Sequence, residues 1–411
     1  MTNGFTTKAI HTSFLKKDAH GALHMPIYDC VSFEFDSAED IVDAFEGKKP
    51  SHAYTRITNP TIEHFENKIK NITGAKGVMA VSSGMAAISN LIMAICGSGD
   101  HIVCSRYLFG NTKSLFATTL KTWGLDVTFI DLEDLDLVRS SIQSNTKLIF
   151  GETIANPQMR VIDLLNLSEI AKNKKIPLVI DSTVTPPYLF NGKECGVDVE
   201  VISSTKYISG GATTVGGLII DHGTYQWKNN SHLEEIAKKV GPFALIAKLR
   251  KEVFRNIGAC LSPHNAYLQS LGLETMALRA DRACQNTLQL ALFLENHSKV
   301  KKVNYPGLRS SPYFEISNKF FPNLPGSILT FDLSSKADCF KFMNQLKIVR
   351  RSTNLNDNKT LIIHPSSTIF AEFSEEQKVD MEVTATLIRL SVGIEDFEDL
   401  KKDIELGLES L

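Results

Sequence analysis

Between residues 76 and 206, short apolar runs alternate with segments of helical period, and this alternation constrains the fold more than any other feature. Residues 76–81, 101–105, 127–131, 148–150 and 177–181 are apolar nearly throughout, with turn residues at their ends. Strands that are apolar on both faces must be covered on both faces, which predicts a parallel sheet between layers of helix. The covering helices are legible too. Residues 85–96 are apolar nearly all round, and Leu164, Leu167, Ile170 and Ala171 recur at helical spacing behind Asp163, a candidate N-cap. In an open sheet of this kind ligands bind at the carboxyl ends of the strands, where Glu152, Asp181 and residues 203–206 fall.

The run Val201-Ile-Ser-Ser-Thr-Lys-Tyr-Ile-Ser-Gly-Gly211 passes from an apolar strand into hydroxyls, a lysine and glycines. Lys206 is costly there as an ammonium, so burial favours the neutral amine, the form that condenses with a carbonyl. Ser203 and Thr205 offer hydroxyls to a dianion, and the glycines let the backbone pass close to a bulky ligand. Together they point to a phosphorylated aldehyde held as a Schiff base, of which pyridoxal phosphate is the common one. The competing reading is a surface lysine in a polar turn. Asp181, closing Leu178-Val-Ile180, needs a cationic partner such as a protonated pyridine nitrogen, or else caps the turn at Thr183 and Pro186. The Ser82-Ser-Gly84 turn opens a buried helix, so the N–H groups of Gly84 and Met85 offer an anion site. Tyr54 and Arg56 stand two apart and share a face in an extended segment, holding an anion or standing as solvated surface. Pro60 suits the first turn of the helix that follows. Arg389 interrupts Leu387-Ile-Arg-Leu390 and requires a planar anion, either a substrate α-carboxylate or a structural aspartate.

Residues 1–50 read as an extended arm with one helical piece around 38–45, suited to packing on a second subunit. Residues 51–240 read as the large ligand-binding domain. From 241 to 411 helical stretches at 245–257 and 265–295 are followed by strands at 327–333 and 386–392, which reads as a smaller α+β domain. A net charge of −2 and the lack of a basic stripe exclude a nucleic-acid or anionic-membrane footprint. The 7 cysteines are odd in number, scattered and never spaced C-x-x-C, which implies reduced thiols in a cytoplasm and neither a disulfide framework nor a metal site. No stretch reads as a signal peptide or a membrane span.

Tyr54-x-Arg56, Ser83-Gly84-Met85, Glu152-Thr-Ile-Ala-Asn156-Pro157, Asp181-Ser-Thr183, Ser203-x-Thr205-Lys206 and Arg389-Leu-Ser-Val-Gly393 occur in this order. In that set the chain resembles the cystathionine γ-synthase family of pyridoxal phosphate enzymes, the Cys/Met metabolism group, over essentially its whole length. The resemblance implies an aspartate-aminotransferase-like α/β fold (fold type I), with a mixed, mostly parallel sheet, helices on both faces and a smaller α+β C-terminal domain. It implies a homotetramer with active sites shared across a dimer interface, in which Tyr54 and Arg56 reach the cofactor phosphate of the neighbouring subunit. It assigns Gly84, Met85, Ser203 and Thr205 to the phosphate, with Ser83 and Thr183 in the same cofactor site, and Asn156 to the ring hydroxyl. Lys206, Asp181 and Phe109 become the catalytic set, and Asn354 and Arg389 the substrate contacts.

Within the family, Gly211-Ala-Thr-Thr-Val-Gly-Gly217, Gly258-Ala-Cys-Leu-Ser-Pro263 and the Asn354…Lys359…His364-Pro365 run are similar to the O-acetylhomoserine sulfhydrylase branch. Two positions depart from it. Phe109 stands where the family stacks a tyrosine on the cofactor, which keeps stacking but removes a phenolic proton and is similar to O-succinylhomoserine sulfhydrylases. Asn356 stands where the branch has glycine. The implied activity is γ-replacement on an O-acylated homoserine by sulfide or a thiol, giving homocysteine or methionine. The alternatives are a methionine γ-lyase or cystathionine lyase releasing a 2-oxo acid, and a non-catalytic sulfur-trafficking scaffold that binds a sulfur-carrier protein.

Overall fold

The computed structural model describes residues 3–15, 18–49 and 51–411; residues 1, 2, 16, 17 and 50 of the expected arm lie outside it. The apolar runs form strands β1 (Gly77–Val81), β2 (His101–Ser105), β3 (Asp126–Ile130), β4 (Thr146–Glu152), β5 (Leu178–Asp181), β6 (Val199–Ile202) and β7 (Gly217–Asp221), assembled in the order β1-β7-β6-β5-β4-β2-β3. The neighbours from β6 across to β3 run parallel, and β7 runs antiparallel to both β1 and β6. Sequence reasoning left β7 unassigned, because its apolar core is only Leu218-Ile-Ile220 behind two glycines.

Alternation within each strand divides the core. Val81, Ile102, Cys104, Phe150, Val179 and Val201 pack against the helix Gly84–Ile95 on one face. Val103, Ile149, Leu178 and Ile180 pack against Leu164, Leu167 and Ile170 of the helix Leu164–Asn173 on the other. Asp163 caps that helix as expected, accepting from Asn166 N–H. The helix Pro60–Thr73 opens with Pro60 in its first turn behind an Asn59 cap, and buries Ile62, Phe65 and Ile69 beneath Val78 and Ala80. Each such side chain contributes about 1.5–3 kcal/mol on leaving water.

The second sheet has the order β10-β11-β12-β9-β8, with β8 (Lys302–Asn304), β9 (Ile328–Asp332), β10 (Arg350–Arg351), β11 (Leu361–Ile363) and β12 (Leu387–Ser391). Three local expectations need correction. The arm carries a helix at Phe5–Ile10 besides Ala38–Glu46, because Phe5 and Ala9 pack against the Pro60–Thr73 layer. The stretch 265–295 is two helices, Pro263–Glu274 and Met276–Glu295, broken at Thr275. Tyr54 and Arg56 do not lie in an extended segment, since the N–H groups of Ile57 and Thr58 both turn back to the Tyr54 carbonyl. Among the described residues no helix is long and apolar enough to cross a membrane, and none of the 7 cysteines is disulfide-bonded.

Gly272 lets the helix Pro263–Glu274 seat directly on the backbone that follows Lys206. A Cβ there would overlap the Ile208 carbonyl oxygen and lie 2.8 Å from the Gly210 nitrogen. Overpacking of this kind costs about 1–3 kcal/mol. Gly272→Ala should therefore lower the urea unfolding midpoint and loosen the segment carrying Lys206; an unchanged midpoint would show that the helix shifts freely.

Candidate active site

The strand ends do converge. A cavity of about 290 Å³ is lined by Glu152 from β4, Asp181 from β5, residues 203, 205 and 206 after β6, and Arg389 from β12. Ser83, Gly84, Met85, Phe109, Asn156 and Thr183 complete the set expected from the sequence. Asn354 meets the site through Lys206, whose Nζ donates to its Oδ1 at 2.6 Å. Tyr54 and Arg56 are not in this cavity: both are exposed, with the guanidinium 5.3 Å from the Tyr54 ring centroid and bonded to the Arg255 carbonyl. A larger cavity of about 510 Å³, lined by Arg160, Lys301, Lys302 and Tyr313, lies apart from these residues.

Burial shapes the chemistry of each charged group. It pulls the Lys206 amine down to about 8; the Arg389 cation adds to the effect and Asp357 opposes it. Asp181 is pushed up to about 6, chiefly by burial and against its hydrogen bonds from Thr183. Glu152 and Asp181 face each other in register on β4 and β5. Burial and then the Asp181 charge raise Glu152 well above the carboxylate range, against N–H donors from Phe109 and Asn156. Burial therefore favours the neutral form of both carboxyls, and the Asp181 charge favours it further at Glu152.

Arg389 decides between its two readings. It is 1% exposed, and burial draws it down to about 10. Its Nη1 donates to Asn156 Oδ1 at 3.1 Å, its Nη2 to the carbonyls of Thr353 and Asn354, and its Nε has no partner. Among the described residues no carboxylate pairs with it. A structural aspartate is ruled out, and a buried cation that lacks an anion is a place for one to bind.

The opposite end suits a phosphate. Ser83 caps the helix Gly84–Ile95 by accepting from Ala86 N–H, a cap that leaves the Gly84 and Met85 N–H groups unused. A Cβ on Gly84 would lie 2.7 Å from Ser203 Cβ, so the helix start and the 203–205 loop touch and any larger residue would fill the cradle. The Thr205 hydroxyl is already bonded to the backbone of Gly216. The donor set, the lysine amine and the carboxylate for a ring nitrogen fit pyridoxal phosphate.

One contact escaped sequence reasoning. Glu152 was noted at a strand end without a role; its Oε1 accepts from Phe109 N–H at 2.6 Å and so fixes the aromatic residue above the cavity. Asn356 has φ 52°, the left-handed region that asparagine tolerates better than most residues, which accounts for its standing in place of glycine.

The chain is similar over most of its length to proteins of known activity. Over 99% of this chain and 97% of its own length, an O-acetyl-L-homoserine sulfhydrylase of Corynebacterium glutamicum is 36% identical. An L-methionine gamma-lyase of Fusobacterium nucleatum is also 36% identical, over 100% of this chain and 99% of its own. The solved O-acetylhomoserine sulfhydrylase of Wolinella succinogenes, described as catalysing sulfur transfer in methionine biosynthesis, is 50% identical, with a TM-score of 0.79 over 85% of this chain and 97% of its own. A putative O-acetylhomoserine (thiol)-lyase of Campylobacter jejuni, solved with a pyridoxyl group on a lysine, superposes with a TM-score of 0.95 at 32% identity, over 99% of this chain and 100% of its own. The model of the Cys/Met metabolism PLP-dependent enzymes matches residues 6–409. The chain belongs to that family of pyridoxal phosphate enzymes.

Proposed function

We propose that this chain is a cytoplasmic enzyme of γ-replacement, acting on an O-acylated homoserine, with O-acetylhomoserine preferred, and using sulfide or a thiol to give homocysteine or methionine. The observation that carries the reading is Arg389, buried without a carboxylate partner among the described residues, in the cavity that also holds Lys206. An α-amino acid brings the carboxylate Arg389 lacks. The sulfhydrylases of Corynebacterium glutamicum and Wolinella succinogenes support replacement over elimination. The equal identity to a methionine gamma-lyase favours a second reading, in which the same site eliminates and releases a 2-oxo acid.

Pyridoxal phosphate, when bound, supplies an electron sink that stabilises negative charge at the carbon bearing the amine. Arg389 binds the substrate carboxylate and fixes that carbon. Lys206, with an amine near 8, takes the proton from the α carbon with Nζ and returns and removes protons at the β carbon. Asn354 Oδ1 holds Nζ, while Asn354 Nδ2 donates to Asp357 at 3.3 Å, so the amide presents its oxygen to the lysine. With the cofactor bound, Asp181 would hold the proton of the ring nitrogen and Asn156 would meet the ring hydroxyl; Thr183 N–H donates to Asp181 Oδ1. Phe109 would stack on the ring and has no proton to give the leaving carboxylate. Gly84, Met85 and Ser203 would hold the phosphate. The bond from Thr205 to Gly216 supports a role in holding that loop.

The exposure of Tyr54 and Arg56 supports their service to the phosphate of a second copy, in a homotetramer whose sites are shared across a dimer interface. So do the apolar side chains left in solvent on the arm, with Leu23 95% and Phe45 71% exposed. The division into an arm at 1–50, a cofactor domain at 51–240 and a C-terminal domain at 241–411 belongs to the same reading. The sulfur donor is free sulfide, a small thiol or a sulfur-carrier protein.

Capture of pyridoxal phosphate by the apoprotein should accelerate as pH rises through about 8, where Lys206 loses its proton, and Lys206→Ala should fold yet develop no visible imine absorbance; a rate flat from about pH 7 to about pH 9 would contradict the role of Lys206. Arg389→Leu should keep that absorbance but lose about a hundredfold or more in kcat/KM, since removing one partner of a buried charge pair costs roughly 2–5 kcal/mol. Incubation of the holoenzyme with O-acetylhomoserine or O-succinylhomoserine, with and without sulfide, should yield homocysteine only where O-acetylhomoserine and sulfide are both present. Release of 2-oxobutyrate irrespective of sulfide would overturn the replacement reading in favour of elimination.

A further inference from the structure

Behind Asp181, on the other face of the sheet, lies a second buried polar chain that the proposed reaction does not use. Val179 packs towards the helix Gly84–Ile95 and Ile180 towards the opposite layer, so the alternation sends Asp181 to the cofactor side and Ser182 away from it. Ser182 is fully buried and donates its hydroxyl to Oε2 of Glu200. Glu200 sits in the middle of β6, with the apolar Val199 and Val201 on either side facing the other way, and is 2% exposed. Its Oε1 lies 2.7 Å from Nε2 of His222, itself 3% exposed. A carboxylate in the middle of a buried strand is expensive. Ile180 and Ile220, its register partners on the two neighbouring strands, show that aliphatic side chains pack on this part of the sheet.

The chain ends on the turn that carries the site. Asp181 Oδ1 accepts from Thr183 N–H at 2.9 Å, Thr183 Oγ1 accepts from Ser203 N–H at 2.8 Å, and Ser182 N–H bonds to the Val201 carbonyl. The turn 181–183 is thus held on the cofactor side by Thr183 and from behind by Ser182. We propose that Glu200 is a positioning residue for Asp181, fixing through Ser182 the turn that aims the Asp181 carboxylate at the pyridine nitrogen, and setting by its own charge how firmly Asp181 holds the proton there. The idea rests on the cofactor and not on which acyl donor or sulfur source the enzyme takes.

The electrostatics run in the same direction. Burial is the main cause of the raised Asp181 carboxyl, and the Glu200 charge adds to it. The other titratable groups facing Glu200 are His222 and the Cys195 thiol, which burial and then Glu200 push up to about 12. Asp198 and Asp221 lie against His222 instead, and the imidazole works to lower both.

Pyridoxamine 5′-phosphate separates this role from that of Lys206, because it carries an amine in place of the aldehyde and forms no bond to the lysine. Its dissociation constant for the full-length apoprotein, followed by fluorescence across pH, should weaken below about pH 6 as Asp181 takes up a proton. Glu200→Gln keeps the shape and removes the charge, and should move that acid limb to lower pH by about half a pH unit or more. Ser182→Ala keeps the charge and breaks the link, and should weaken binding about tenfold across the range with the limb at or above its wild-type position. The proposal is overturned by a folded Glu200→Gln protein whose limb stays in place or rises, or by Ser182→Ala binding as tightly as wild type. Should Glu200→Gln fail to fold, Ser182→Ala decides alone.

Discussion

Glu152, Asp181, Lys206 and Arg389 share one largely apolar cavity, and keeping these ionisable groups out of water without letting them collapse on one another is the constraint the architecture answers. Each ion removed from water is penalised by several kcal/mol unless it finds partners, so its position has to be held by bonds the solvent cannot exchange. Strand ends supply that. Glu152 and Asp181 are a register pair on neighbouring parallel strands, and Lys206 follows the next one. Fixed partners then satisfy each group in turn: Phe109 N–H donates to Glu152 and Thr183 N–H to Asp181, while Asn354 Oδ1 accepts from Lys206 and Asn156 Oδ1 from Arg389. A flexible loop could offer the same residues but would pair the cations with the anions at once.

This is also why the fold was legible in the sequence where it was. A strand buried on both faces is apolar at nearly every position, a pattern that exposed segments rarely imitate, and β1, β2, β4 and β5 followed from it to within two residues. The strand β7 escaped because it is antiparallel and begins with glycine, so only three apolar residues signal it. The break at Thr275 escaped because apolar residues keep helical spacing across it, and the turn is set by how the two helices dock instead of by a breaker residue.

The site divided along a similar line. Residues that line the cavity with reactive side chains could be named from type and spacing: an amine, a carboxylate, hydroxyls, a guanidinium. What could not be read was work done on the backbone. Glu152 acts on an N–H group, and nothing in the sequence around residue 109 announces an acceptor 43 residues further on. The fate of Arg389 was undecidable for a different reason, since a substrate carboxylate and a structural one ask for the same arginine. Only the surroundings of the folded guanidinium separate them.

Asn356 shows how the two sheets are kept in step. Its N–H donates to Ser391 Oγ at 2.7 Å, its Oδ1 accepts from Ser327 at 3.4 Å, and its Nδ2 reaches the Thr183 carbonyl at 3.5 Å. Ser391 ends the strand that carries Arg389, and Thr183 belongs to the turn that carries Asp181. Asn356 therefore links the end of the strand that carries Arg389, through its backbone N–H, to the turn that carries Asp181, through its side-chain amide. Glycine would adopt the same left-handed backbone with less strain, but it has no amide with which to reach across. An asparagine here accepts a mildly unfavourable φ in exchange for coupling the two halves of the site, and that coupling matters most where charge must develop between fixed points, because misplacement there falls directly on the transition state.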